Sequence, residues 1–180
     1  MLSSDRGRRR PRHRLGPAAI VAIAGALLLS ACTLQPVYDP GAGGSSVAKT
    51  LRSINIEPAD TRVAQEVRNK LLFHLTGGGA IVDPKYRMKL RTTTAQSALG
   101  ISRDGSAPVY SVTVTVSYTM IQNSTGDIVM RETARGTASY DQYSQNFANI
   151  RAKLDAENRA AAQVADEIRI RVAAATAVGL

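Results

Sequence analysis

Residues 109–121 read Val-Tyr-Ser-Val-Thr-Val-Thr-Val-Ser-Tyr-Thr-Met-Ile. Tyr110, Val112, Val114, Val116, Tyr118 and Met120 alternate with Ser111, Thr113, Thr115, Ser117 and Thr119. A period of two predicts a strand with one apolar and one polar face. Asn123-Ser124-Thr125-Gly126-Asp127 then supplies turn residues. In the run that follows, Ile128 to Tyr140, the residues Ile128, Met130, Ala134, Ala138 and Tyr140 share one parity, which Glu132 breaks. Together the two runs predict an antiparallel hairpin.

Upstream of the hairpin, Tyr86 to Thr94 predicts another strand, followed by a loop with Gly100 and Asp104-Gly105. Leu51 to Glu57 is β-prone and stops at Pro58. Asp60 is placed to cap a helix whose Val63, Val67, Leu71 and Leu75 recur every four residues before Gly77-Gly78-Gly79 ends it. His74 falls in its last turn, where a cation suits the dipole. Downstream, from about Ser144 to Ala175, Phe147, Ile150, Leu154, Ala161, Ala165, Ile168 and Val172 line one side of a helix. Asp155/Arg159 and Glu167/Arg171 form i,i+4 pairs expected to be exposed, and Tyr140, Tyr143 and Phe147 are expected in core or capping roles. The order β-α-β-β-β-α predicts an α+β fold. Two helices pack on one face of a four-stranded mixed sheet, with a parallel first crossover and a later meander.

The chain has 180 residues with 23 Lys+Arg, 14 Asp+Glu and a net charge of +9. Six of those Arg and one Asp lie in residues 1–31; without them 17 basic and 13 acidic groups remain, net +4. No dense Lys/Arg run is left, and only six Tyr and two Phe could stack on bases, so no nucleic-acid partner is expected. One Cys and two His give no four-ligand zinc site, and no metal or cofactor is expected.

The amino terminus reads as an address. Arg6, Arg8, Arg9, Arg10, Arg12 and Arg14 precede an uncharged apolar run from Pro17 to Leu29. As a helix this run spans about 20 Å, short of the roughly 30 Å hydrocarbon core, so residues 1–31 are expected to be a signal peptide. Leu29-Ser30-Ala31-Cys32 resembles the bacterial lipobox, which implies acylation of Cys32; Thr33 rather than Asp after it favours the outer membrane by the same resemblance. Residues 32–50, with Pro36, Pro40 and Gly41-Ala42-Gly43-Gly44-Ser45-Ser46, are expected to form the lipidated start and a flexible tether. Residues 51–180 are expected to form a single domain.

The polar sheet face is the candidate site. Its parity reads Arg87, Lys89, Arg91, Thr93 on one strand and Val129, Arg131, Thr133, Arg135, Thr137 on another, with Thr113 and Thr115 between. Guanidinium forks grip phosphate and carboxylate oxygens bidentately. Arg87, Lys89, Arg91, Arg131 and Arg135 are therefore candidate anion ligands; alternatively, they are the solvated face of a one-sided sheet. No Gly-Xaa-Ser-Xaa-Gly elbow, phosphate loop or paired-carboxylate site is present, so no catalytic residue is expected.

Cys32-Thr33-Leu34-Gln35-Pro36-Val37-Tyr38 resembles the lipidated start of the LptE family, the LPS-assembly lipoproteins of Gram-negative outer membranes, with Thr-Leu where that family has Gly-Phe. Arg103 to Ala107, Val116 to Met120, Ser124-Thr125-Gly126, Ser139-Tyr140, Phe147-Ala148 and Ala165 to Arg169 extend the similarity over nearly all of the mature chain. The resemblance implies a non-enzymatic, lipid-anchored subunit on the periplasmic side of the outer membrane. Such a subunit plugs and helps assemble an LptD-type β-barrel and binds lipopolysaccharide on its way to the outer leaflet. An accessory lipoprotein of a different envelope lipid-transport machine is the alternative, to be separated by its barrel partner.

Overall fold

The computed structural model describes residues 44–81, 83–99 and 109–179. They form α1 (Gly44–Leu51), β1 (Ile54–Ile56), α2 (Arg62–Thr76), β2 (Tyr86–Ala98), β3 (Val109–Gln122), β4 (Ile128–Asp141) and α3 (Asn146–Ala177). The sheet order is β1-β2-β3-β4, with β1 parallel to β2 and an antiparallel meander thereafter. Apart from α1, the element order is the expected β-α-β-β-β-α.

Helix α1 occupies part of the stretch expected as a tether through residue 50. Its Gly and Ser content favours a linker, but Val47 and Leu51, four residues apart, are buried and α1 packs against α2 and α3. Tertiary burial outweighs weak local propensity here. The first strand shortens accordingly, from the expected Leu51–Glu57 to Ile54–Ile56. The expected signal peptide, Cys32 and the loop expected around Gly100 and Asp104-Gly105 lie outside the described residues.

Thr61, not Asp60, is the N-cap of α2, accepting a hydrogen bond from the Ala64 N–H at 3.2 Å. Gly77 closes that helix at φ 66°, a left-handed conformation that glycine adopts without a steric penalty, and its N–H donates to Phe73 O. Across the sheet, Val112, Val114, Val116, Tyr118 and Met120 are fully buried beneath the helices, as their parity predicts. A register shift between Met120 and Ile121 pairs Ile121 with Ile128, and Ile128, expected inward, is exposed.

Strand β4 is a sheet edge, and side chains of α3 meet its outward backbone groups. Arg159 Nη2 donates to Ser139 O (2.8 Å), Gln163 Oε1 accepts from Thr137 N (3.0 Å), Glu167 Oε2 accepts from Arg135 N (3.1 Å), and Arg171 Nη1 donates to Thr133 O (2.8 Å). Four helical residues rise about 6 Å and two strand residues about 6.8 Å, so the two ladders nearly keep step. Asp155/Arg159 and Glu167/Arg171 pair as expected, yet three of these four residues also border or seal an edge that would otherwise template another strand.

The same correspondence places residues 146–154 beyond the end of β4, an overhang of about 14 Å. Phe147 and Ile150, expected in the buried stripe, are 73% and 51% exposed because no strand among the described residues lies beneath them, and Tyr143 is 57% exposed. Tyr140 does pack, stacked on Tyr110 with centroids 5.7 Å apart.

Candidate functional site

Strand register decides which of the candidate cations are neighbours. Lys89 pairs with Thr119, and Thr119 with Arg131; Arg91 pairs with Ser117, and Ser117 with Thr133; Thr93 pairs with Thr115, and Thr115 with Arg135. Lys89 and Arg131 thus flank Thr119 in one row, about 10 Å apart at the strand spacing, and Arg91 stands about 7 Å further along β2. Arg87, opposite Ile121, and Arg135, about 14 Å along β4 from Arg131, mark the two ends of the group. The structure therefore brings Lys89, Arg91 and Arg131 together and leaves Arg87 and Arg135 at the margins.

Hydroxyls form the floor. Ser117 Oγ and Thr133 Oγ1 are 3.1 Å apart, and Thr113 Oγ1 and Thr137 Oγ1 3.3 Å. Lys89 makes a 3.7 Å ion pair with Glu57, just past β1, while Arg87, Arg91, Arg131 and Arg135 are exposed and make no ion pair among the described residues. Unpaired guanidinium groups above a surface of hydroxyl donors complement a multivalent anion such as a phosphate-bearing headgroup.

Behind this face, Glu132 breaks the inward parity for a definite reason. It pairs across the strands with Tyr118, whose hydroxyl donates to Glu132 Oε2 (3.2 Å), and Arg171 Nη1 reaches the same oxygen at 3.2 Å. Burial, and then the Glu132 carboxylate, push the Tyr118 phenol from 10.0 up to about 12. A phenol raised in the folded state favours folding while it stays protonated. That contribution is intact below pH 10 and disappears as pH rises from 10 through about 12. In an ultraviolet phenolate titration of the folded chain, Tyr118 is expected to ionise well above pH 10, and Glu132→Gln should lower its pKa while leaving it above 10. Ionisation of Tyr118 around pH 10 in the folded chain would contradict both its burial and its contact with Glu132.

His74, in the last turn of α2 as expected, faces Asp166 of α3 at 3.4 Å, and Arg62 at the other end of α2 pairs with Glu157 and donates to Asn158 Oδ1 at 2.9 Å. These contacts fasten the two parallel helices. Among the described residues no group of three or more His, Cys, Asp or Glu could hold a metal ion, and no helix is long and apolar enough to cross a membrane.

Fold and face together define a two-layer α+β protein with a cationic, hydroxyl-bearing sheet surface. The chain belongs to the LptE family, described as lipopolysaccharide-assembly, whose model matches residues 48–172. This is a family of outer-membrane lipoproteins. Three solved structures share the fold. A Caulobacter crescentus CB15 protein described as a lipoprotein is 21% identical, with a TM-score of 0.61 over 76% of this chain and 98% of its own. A minor lipoprotein from Acinetobacter baumannii is 16% identical, with a TM-score of 0.53 over 67% and 88%. Rare lipoprotein B from Shewanella oneidensis is 17% identical, with a TM-score of 0.50 over 69% and 94%. No curated protein matches the chain by sequence.

Proposed function

We propose that the chain is an outer-membrane subunit of the LPS translocon, anchored on the periplasmic side through acylated Cys32. It plugs an LptD-type β-barrel, assists the assembly of that barrel, and holds lipopolysaccharide on its cationic sheet face during transfer to the outer leaflet. The observation that carries the reading is the cross-sheet group of Lys89, Arg91 and Arg131 on a hydroxyl floor, in a chain of the lipopolysaccharide-assembly family. Lipid A phosphates offer what such a face lacks, and a polar exterior suits the lumen of a large barrel.

Affinity purification of the tagged protein from outer membranes is expected to bring down an LptD-type barrel; recovery without one would overturn the barrel reading. Cys32→Ala is expected to abolish lipid attachment altogether, because the acyl chains have no other thiol to join. Mass spectrometry of the mature protein checks this directly, and an unmodified Cys32 or a mature start elsewhere would remove the anchor.

A further inference from the structure

A second group of cations, separate from the sheet face, surrounds an open cavity of about 620 Å³ whose lining includes Lys49, Arg52, Lys85 and Asp83. Its walls come from two parts of the chain held together by backbone hydrogen bonds. Leu51, buried, ties the end of α1 to the core, and Tyr86 N–H donates to Ser53 O at 3.2 Å, joining the segment just after α1 to the start of β2. On the other side, Asn123 N–H donates to Lys85 O (2.9 Å) and Asn123 Nδ2 to Pro84 O (2.6 Å). Three cations thus converge on a space they share with one carboxylate. Lys49, Arg52 and Lys85 make no ion pair among the described residues.

Lys49 and Arg52 stand at the carbonyl end of α1, where cations suit the helix dipole, and that role accounts for two of the three. Lys85 arrives from the β2 side and has no such role. Its convergence adds a third cation to the two at the helix terminus.

We propose that this cavity binds the phosphate of an anionic phospholipid headgroup. One guanidinium fork and two ammonium groups match phosphate oxygens in charge and in donor number. The source of the phosphate follows from chain length. Eleven residues, 33–43, separate Cys32 from Gly44, and even fully extended they span only about 40 Å. A membrane holding Cys32 therefore keeps its headgroups close to α1. Only this choice of source rests on the acylation proposed above; the phosphate site itself does not.

The test uses the unacylated chain from Thr33 onward. This chain omits the arginine-rich leader and retains every described core side chain, all of which lie between Val47 and Ala173. Backbone amide shifts are followed during titration with monomeric dihexanoyl-phosphatidylglycerol, dihexanoyl-phosphatidylcholine and inorganic phosphate. Saturable shifts centred on Lys49, Arg52 and Lys85 are expected with phosphatidylglycerol, and much weaker ones with the other two. Lys49→Gln/Arg52→Gln should weaken that binding roughly tenfold or more, whereas the sheet-face variant Arg91→Glu/Arg131→Glu should leave it unchanged. Asp83→Asn should instead tighten it several-fold, a gain that misfolding cannot mimic. Asp83 has φ 49°, and Asn tolerates that left-handed backbone as well as Asp does. Shifts centred on the sheet face, or equal affinity of wild type and the Lys49/Arg52 variant, would overturn the site. Inorganic phosphate binding as tightly as phosphatidylglycerol would overturn the lipid as its ligand. Acylation of Cys32 is read by mass spectrometry alone, so the two proposals fail separately.

Discussion

Gly136→Ala is expected to destabilise the folded chain by roughly 2–3 kcal/mol, the range of an overpacked core contact. The sign is the unusual part, because Gly inside a strand ordinarily lowers stability by about 0.5–1 kcal/mol relative to Ala. Gly136 is buried and faces α3. A Cβ there would overlap the Ala160 carbonyl oxygen and lie 3.0 Å from Val164 Cγ2 and 3.1 Å from Gln163 Cβ. Two of these three neighbours are rigid at that distance, so the helix must move away. Moving it lengthens the bonds from Arg159, Gln163, Glu167 and Arg171 to the β4 edge, since those side chains already reach around the strand. The thermal midpoint should fall by roughly 10 °C. Amide exchange should accelerate at Arg135 and Thr137, whose N–H groups α3 accepts. Gly126→Ala makes the comparison: that turn glycine has nothing within 4 Å of a Cβ, and its φ of 79° leaves a conformational cost of about 1 kcal/mol. An unchanged midpoint in Gly136→Ala would show that α3 does not approach β4 this closely.

That contact also marks the boundary of what the amino-acid sequence reveals. The β3 alternation is local, so Val112, Val114 and Val116 could be assigned to the core from their spacing alone. A helical stripe says which side of α3 is apolar but not how far the sheet extends under it, and Phe147 and Ile150 consequently sit on an overhang rather than in the core. Arg159, Glu167 and Arg171 read as solvated ion pairs because their second role depends on Gly136 bringing two elements together. Helix α1 was hidden by glycine and serine, whose low propensity is outweighed only once Val47 and Leu51 have partners. Parity sufficed to gather Arg87, Lys89, Arg91, Arg131 and Arg135 on one face. Their neighbourhood needed the register Lys89–Thr119–Arg131, which a hydrophobic pattern cannot supply across three strands. Lys49, Arg52 and Lys85 were illegible as a group for a plainer reason: only the folded chain brings the end of α1 beside the start of β2.

Arg91→Glu/Arg131→Glu is expected to weaken lipopolysaccharide binding roughly tenfold or more at low salt, with the fold intact. Each substitution replaces a fork that can grip a phosphate by a carboxylate that repels it, and the two positions lie in adjacent rows on opposite sides of the Ser117/Thr119 floor. Outward, solvated positions contribute little to stability, so the thermal midpoint should stay within the equivalent of about 0.5 kcal/mol. Salt supplies the discriminating arm. Attraction between exposed charges is screened over about 8 Å at physiological ionic strength and over about 3 Å at 1 M, so the difference between wild type and variant should shrink as salt rises. A contact made through acyl chains on apolar surface would show no such convergence, because hydrophobic burial is not screened. The soluble domain is therefore titrated with lipopolysaccharide at low and high salt for both proteins. Equal affinities at low salt would leave these residues as the solvated face of a sheet or as part of a barrel-lumen contact. A defect that persists undiminished at high salt would assign the loss to packing rather than to charge.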